Sequence, residues 1–283
     1  MKIGASTLAG IDDSLENALE FIEGLGIDYA EIVHQFPTEH INPETLESYS
    51  LKYTIHAPFM DVNIASPQDQ SRLNSIEQVK SSIDLANKID AEAVVIHPGL
   101  ISFLANKYFR KEVFEIANAS MIELGAYGDD LGVLTTFENM PAFESMIYEN
   151  MDELNEFLTD NNLYMTLDVG HANHVGYSAD DMIFDCIKHV HMHDNFGDDD
   201  AHLPLGEGSI DLKRVVNNLE SKKYDGIYIL DPPPPYLELL LQEGGLQLGR
   251  CVVSFLLPPP LTHCLHLPQN FRGICPSWPL LLL

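Results

Sequence analysis

The sequence predicts an α/β protein built as a (β/α)8 barrel, ending in an atypical Pro/Leu-rich C-terminal segment. Three observations point there. Eight short β-rich runs recur between residues 2 and 230, with helical or turn-rich stretches between them. That alternation over about 230 residues approaches the ~250-residue size of a parallel barrel. Seven of the eight runs end at or near a His, Glu or Asp, as strands do where a barrel places its chemistry at their C-terminal ends. The rival, a doubly wound open sheet, favours a glycine-rich phosphate loop after its first strand, and STLAGIDD (6–13) is not one.

The runs are KIGAST (2–7), YAEIVH (29–34), YTIHAP (53–58), AVVIHPG (93–99), LTTFENM (134–140), MTLDVGH (165–171), HVHMHDN (189–195) and GIYIL (226–230). In 14–25, Leu15, Leu19, Ile22 and Leu25 form one helical stripe, with Ser14 as N-cap. Ile76, Val79, Ile83, Leu85 and Ala86 mark a second helix over 76–89, and Leu212, Val215, Val216 and Leu219 a third over 211–221.

Composition narrows the class. Forty-three acids stand against 15 bases, a formal charge of −28, opposite to what a protein gripping phosphate backbones needs. DNA is an unfavoured partner unless a local patch or bound metal holds it. No apolar run reaches membrane-spanning length, MKIGASTLAG has no apolar run long enough for a signal peptide, and the four cysteines fit no metal finger or secreted framework. A soluble cytoplasmic protein is expected.

Residues 1–231 form the expected barrel domain. Residues 231–283 hold 10 of the 17 prolines, 15 leucines, three of the four cysteines and the sole Trp, but only 3 acids and 2 bases. So abrupt a change reads as a tail, 232–283, that is not native to the fold; a loosely structured extension is the alternative.

The strand-terminal residues are Glu31 with His34, His56, His97, Glu138, Asp168 with His171, His191 with His193 and Asp194, and Asp231; the loop after the seventh strand adds Asp200 and His202. One strand-end histidine is ordinarily structural, and Asp168 could simply cap the next turn. So many buried carboxylates gathered at one mouth would repel and take up protons. A divalent cation resolves the conflict, and mixed imidazole and carboxylate donors suit Zn, Mn, Fe or Co. His189, His191 and His193 alternate and face one side, which leaves open which of them is the ligand. Asp198, Asp199, His40 and His174 read as surface residues.

The motifs IHAPFMDVNIAS (55–66), VIHPG (95–99), FENMP (137–141), LDVGHANHVGY (167–177) and HVHMHDNFGDDDAHLPLGEGSID (189–211) resemble the xylose isomerase-like TIM-barrel superfamily. That group contains sugar and sugar-phosphate isomerases and epimerases, and the endonuclease IV-type AP endonucleases. The resemblance implies metal ligands at Glu138, Asp168 and His191, with Asp231 where the family carries a Glu. The endonuclease branch implies a fuller set for three zinc ions, adding His56, His97, His171, Asp200 and His202. The isomerase branch implies one ion, Zn or Mn.

The loops QFPTEHINPE and GDDDAHLPLGEGS carry no Lys or Arg, and Ala201 stands where the endonucleases carry an Arg. We therefore expect a metal-dependent isomerase or epimerase moving a proton next to a carbonyl of a small sugar or sugar phosphate. Glu138 and Asp231 would exchange the proton, and His171 would hold a substrate hydroxyl. Phe59, Met60 and His193 would line the sugar. An AP endonuclease hydrolysing phosphodiesters is the alternative, and a non-catalytic barrel a third reading.

Overall fold

Short apolar strands that close on each other can be buried on both faces, and this sequence uses that solution. In a computed structural model, which describes residues 1–10 and 14–231, β1 (Lys2–Ser6), β2 (Tyr29–Val33), β3 (Lys52–His56), β4 (Val94–Ile96), β5 (Thr135–Glu138), β6 (Tyr164–Asp168), β7 (Ile187–Met192) and β8 (Ile227–Leu230) form a closed barrel. Each strand pairs in parallel with the next, and β8 returns to β1 with Ala5 beside Leu230. All five residues of β2 are buried, as expected when helices cover the outside of a parallel sheet.

The helices are α1 (Leu15–Gly24), α2 (Pro43–Leu46), α3 (Asp69–Ile89), α4 (Phe103–Tyr108), α5 (Arg110–Leu131), α6 (Met151–Asp160), α7 (Val169–Val175) and α8 (Leu212–Ser221). Ser14 caps α1 by accepting from the Asn17 amide at 3.2 Å. Most of the expected stripes pack as read: Leu19 and Ile22 of α1, Ile76, Val79 and Ile83 of α3, and Val215, Val216 and Leu219 of α8 are buried against the barrel, Leu15 and Leu85 are half-buried, and Leu25 falls just past the end of α1. Inside the barrel, at its N-terminal end, Tyr29, Ile227 and Ile229 form a separate apolar plug. Gly4 permits it, because a Cβ there would lie 2.6 Å from Ile229 Cδ1 and 2.8 Å from Tyr29 Cβ.

Three expectations change in detail. The sixth strand stops at Asp168 instead of 171, and α7 begins at Val169, because the Asp168 carboxylate accepts from the His171 amide at 2.7 Å and caps that helix. The helix read as 76–89 starts seven residues earlier, at Asp69. His34 does not join the mouth. It follows an alternation that sends Glu31 inward, and its ring bonds outward to Ser82 Oγ at 2.8 Å and the Glu39 carbonyl at 3.2 Å. The 232–283 tail lies outside the described residues. Among those described, no helix is long and apolar enough to cross a membrane.

Candidate metal centre

Strand ends and the loops after them bring the polar side chains to one face. Glu138, ending β5, stands at the middle of four rings. His97 Nε2 lies 3.1 Å and His56 Nε2 3.5 Å from its Oε2. His191 Nδ1 lies 3.3 Å and His171 Nδ1 3.5 Å from its Oε1. Asp168 follows on the next strand, 3.8 Å from His191 Nδ1 and 3.0 Å from His193 Nε2. Above them, Asp200 approaches His171 Nε2 at 3.2 Å, His202 Nε2 at 3.5 Å and His193 Nε2 at 3.7 Å. Asp231 lies 3.6 Å from His202 Nδ1 and is not drawn into the Glu138 group.

Backbone carbonyls fix the rings. The Nδ1 atoms of His56, His171 and His202 face the carbonyls of Ala57, Asn139 and Asp231 at 2.8, 2.8 and 2.9 Å. A proton on Nδ1 satisfies those contacts and leaves Nε2 of each ring turned to a carboxylate. His202 holds this place with φ +47°, a left-handed conformation that a non-glycine residue adopts at some cost. Asn139, fully buried, clamps β5 to β6: its Oδ1 accepts from the Asp168 amide at 2.8 Å and its Nδ2 donates to the Asp168 carbonyl at 3.0 Å.

The electrostatics follow from crowding. Burial alone would raise the Glu138 carboxyl, but the His191 and His97 rings outweigh it and hold the group well below its usual range. Burial lowers the His171 ring, yet Asp168, Asp200 and Glu138 push it up to about 10. His202 is raised to about 9 against its burial, chiefly by Asp200 and Asp231. For His97 burial wins and the ring falls below its ordinary value. Imidazolium protons are thus the counter-charge that the protein itself supplies.

The donor set fits a divalent cation. Glu138 Oε2, Asp168 Oδ2, Asp200 Oδ1 and Asp231 Oδ1 are buried and make no hydrogen bond, which is costly unless a ligand uses them. Among the described residues, nitrogen and oxygen donors gather within 4.8 Å of one another in four groups: His56–Glu138–His191, Glu138–Asp168–His171, His171–His193–Asp200–His202, and Glu31–His189–His191. Of the residues read from sequence, Glu138, Asp168, His191, His56, His97, His171, Asp200 and His202 converge, and His193 joins them as a potential donor. Phe59 packs flat on His97, ring centroids 5.2 Å apart, and edge-on to His56 at 5.2 Å, so it braces two donor rings. Met60 projects into solvent, 51% exposed. Gln35 Oε1 accepts from the amides of both Phe59 and Met60 at 3.1 Å.

Sequence reading missed Gln35, Asn139 and the Glu31–His189 pair. It placed Asp194 at the mouth, but that carboxylate is spent on the amides of Asn195, Gly206 and Ile210 at 2.9, 3.0 and 3.2 Å, shaping the loop that carries Asp200. Asp198 and Asp199 are exposed as expected.

A family model described as xylose isomerase-like TIM barrel matches residues 15–245. The uncharacterized protein MJ1311 of Methanocaldococcus jannaschii is 33% identical over 246 residues, covering 82% of this chain and 83% of that protein. A crystal structure of a D-tagatose 3-epimerase-like protein superposes with a TM-score of 0.76 at 31% identity, over 90% of this chain and 100% of that one. Similarity also reaches a protein named probable endonuclease 4 of Halothermothrix orenii, 25% identical over 202 residues, 63% of this chain and 70% of that protein. With eight parallel strands closed in order and the match spanning most of the barrel, the chain belongs to the xylose isomerase-like TIM barrel family.

Proposed function

We propose that this protein is a divalent-metal-dependent sugar isomerase or epimerase that moves a proton at a carbon next to a carbonyl. The observation carrying the reading is the packing of Glu138, Asp168 and His191 at one mouth with buried carboxylate oxygens left unbonded. The epimerase-like structural neighbour supports the substrate class. Glu138, Asp168 and His191 would hold the cation, Asp231 would have to turn from His202 to join them as fourth ligand, and the bound ion would stabilise the negative charge that develops on the substrate oxygen. Glu138 and Asp231 act as the acid–base pair, one removing the proton and the other returning it. His171, whose Nδ1 is held by the Asn139 carbonyl, directs Nε2 to a substrate hydroxyl. Phe59 covers an apolar sugar face, with Met60 at the rim and His193 beneath.

The group His171–His193–Asp200–His202 favours one second reading, a multi-zinc AP endonuclease. Charge opposes it: the loops 35–44, 57–71 and 197–209 that rim the mouth contain no Lys or Arg, where a duplex binder needs phosphate contacts.

The test is to strip the protein with chelator, reload it with Mn2+, Co2+ or Zn2+, and incubate it with a panel of ketoses in D2O. Metal-dependent deuterium incorporation next to the carbonyl is expected, with negligible binding to abasic-site duplex at physiological salt. Metal-dependent incision of that duplex with no exchange on any ketose would reverse the two readings.

A further inference from the structure

His191 is held differently from the other donor rings. His56, His171 and His202 rest Nδ1 on a main-chain carbonyl and present Nε2. His191 is reversed: Nδ1 faces Glu138 and Asp168, and Nε2 points down the barrel to Glu31 Oε1 at 2.8 Å. That approach is off the line of a full hydrogen bond, and neither atom makes a hydrogen bond to any other group. The other oxygen of Glu31 is committed, accepting Thr54 Oγ1 at 2.9 Å and lying 2.7 Å from His189 Nε2. Glu31 is therefore anchored from β3 and β7, with one oxygen left to face a single ring. A carboxylate sealed inside a barrel is expensive, and this one lies one layer beneath the donors on the mouth.

We propose that Glu31 is a positioning residue for the metal centre, a buried carboxylate that sets the orientation of His191 and makes its Nδ1 a stronger donor. The proposal rests on the metal-dependent reading above. Carboxylates behind a ligating imidazole fix its tautomer and ring orientation and raise its basicity. Glu31 is poorly suited to ligating a separate ion with His189 and His191, because its oxygens lie 2.7 Å from His189 Nε2 and 2.8 Å from His191 Nε2, closer than two ligand atoms stand around a tetrahedral ion with bonds of about 2.0 Å.

The experiment is a Co2+ titration of chelator-stripped wild type and Glu31→Gln, following the visible d–d bands and competition with a chromophoric chelator. Glutamine keeps the shape and removes the charge. Expected are unchanged far-ultraviolet circular dichroism, about 10- to 100-fold weaker Co2+ binding, and an altered d–d spectrum, which a purely structural role for Glu31 would not move. Wild-type affinity and an unchanged spectrum in Glu31→Gln would overturn the proposal alone. Failure of wild type to take up Co2+ would overturn it together with the metal-centre reading. Should Glu31→Gln not fold, Thr54→Val frees the carboxylate without removing it; a severalfold loss of Co2+ affinity is then expected, and none would overturn the assignment.

Discussion

The two ends of the barrel handle buried and half-buried charge in opposite ways. At the N-terminal end, Glu92 meets Lys2 Nζ at 2.8 Å, the Tyr29 hydroxyl at 2.7 Å and Lys52 Nζ at 3.6 Å. Every partner there is a strong donor, and water reaches the group. At the C-terminal end, Glu31, Glu138, Asp168, Asp200 and Asp231 meet imidazoles, and each keeps an oxygen without a hydrogen bond. The lower cluster is closed and serves stability; the upper one is open to a ligand and costs stability without it. Barrels in general divide labour between their faces in this way.

The comparison breaks most sharply at Glu138. Glu138→Gln should lower turnover at least about 1000-fold, equivalent to roughly 4 kcal/mol, and remove most metal uptake, read by steady-state assay and elemental analysis. Full occupancy and full turnover would move the centre elsewhere. Next in size is the ligand's effect on stability. Saturating metal, at about 100 times its dissociation constant, should stabilise the wild type by about 2.7 kcal/mol, seen as a rise in Tm by scanning calorimetry. Glu92→Gln should leave that increment intact, and Glu138→Gln should abolish it.

Gly170→Ala is expected to cost about 1–3 kcal/mol, because a Cβ there would fall 1.8 Å from His193 Cε1. Chemical denaturation checks it, and a neutral result would show that the His193 ring yields freely. The smallest effect belongs to the lower end. Burial would raise the Glu92 carboxyl, but Lys2 and Tyr29 outweigh it and hold it below its ordinary 4.5. The unfolded chain therefore binds this proton more readily, so the cluster's contribution is complete above about pH 4.5 and fades as pH falls through the lower folded value. For a partly exposed pair that is about 1 kcal/mol or less. Glu92→Gln should flatten this part of the acid limb of the stability curve, and an unchanged limb would remove Glu92 from it.

The barrel was legible because its strands are continuous apolar runs that stop at polar residues, a pattern that survives without any tertiary information. α5 was not, since its buried face includes Ala117, Ser120, Gly125 and Gly128, small residues that blur a hydrophobic stripe. At the site, His56, His97, Glu138, Asp168 and His191 stood out as polar ends of apolar strands. Glu31 stood out equally but led nowhere, because only closure of the barrel sets β2 against β7 across its interior. His34 misled for the same local reason, one residue out of phase. Asn139 acts on the backbone of another strand, a relation that no spacing within one segment encodes.

Asp231 contributes more than a side chain. Its amide donates to the Met192 carbonyl at 3.1 Å, and its own carbonyl receives His202. The residue just past the eighth strand is thus stitched both to the seventh strand and to the loop bearing Asp200. On its other side β8, the last strand among the described residues, meets β1 with Leu230 beside Ala5. Anything that draws His202 and Asp200 together therefore pulls on the backbone that joins β7 to β8, so holding that side of the cylinder and completing its mouth become a single act of assembly.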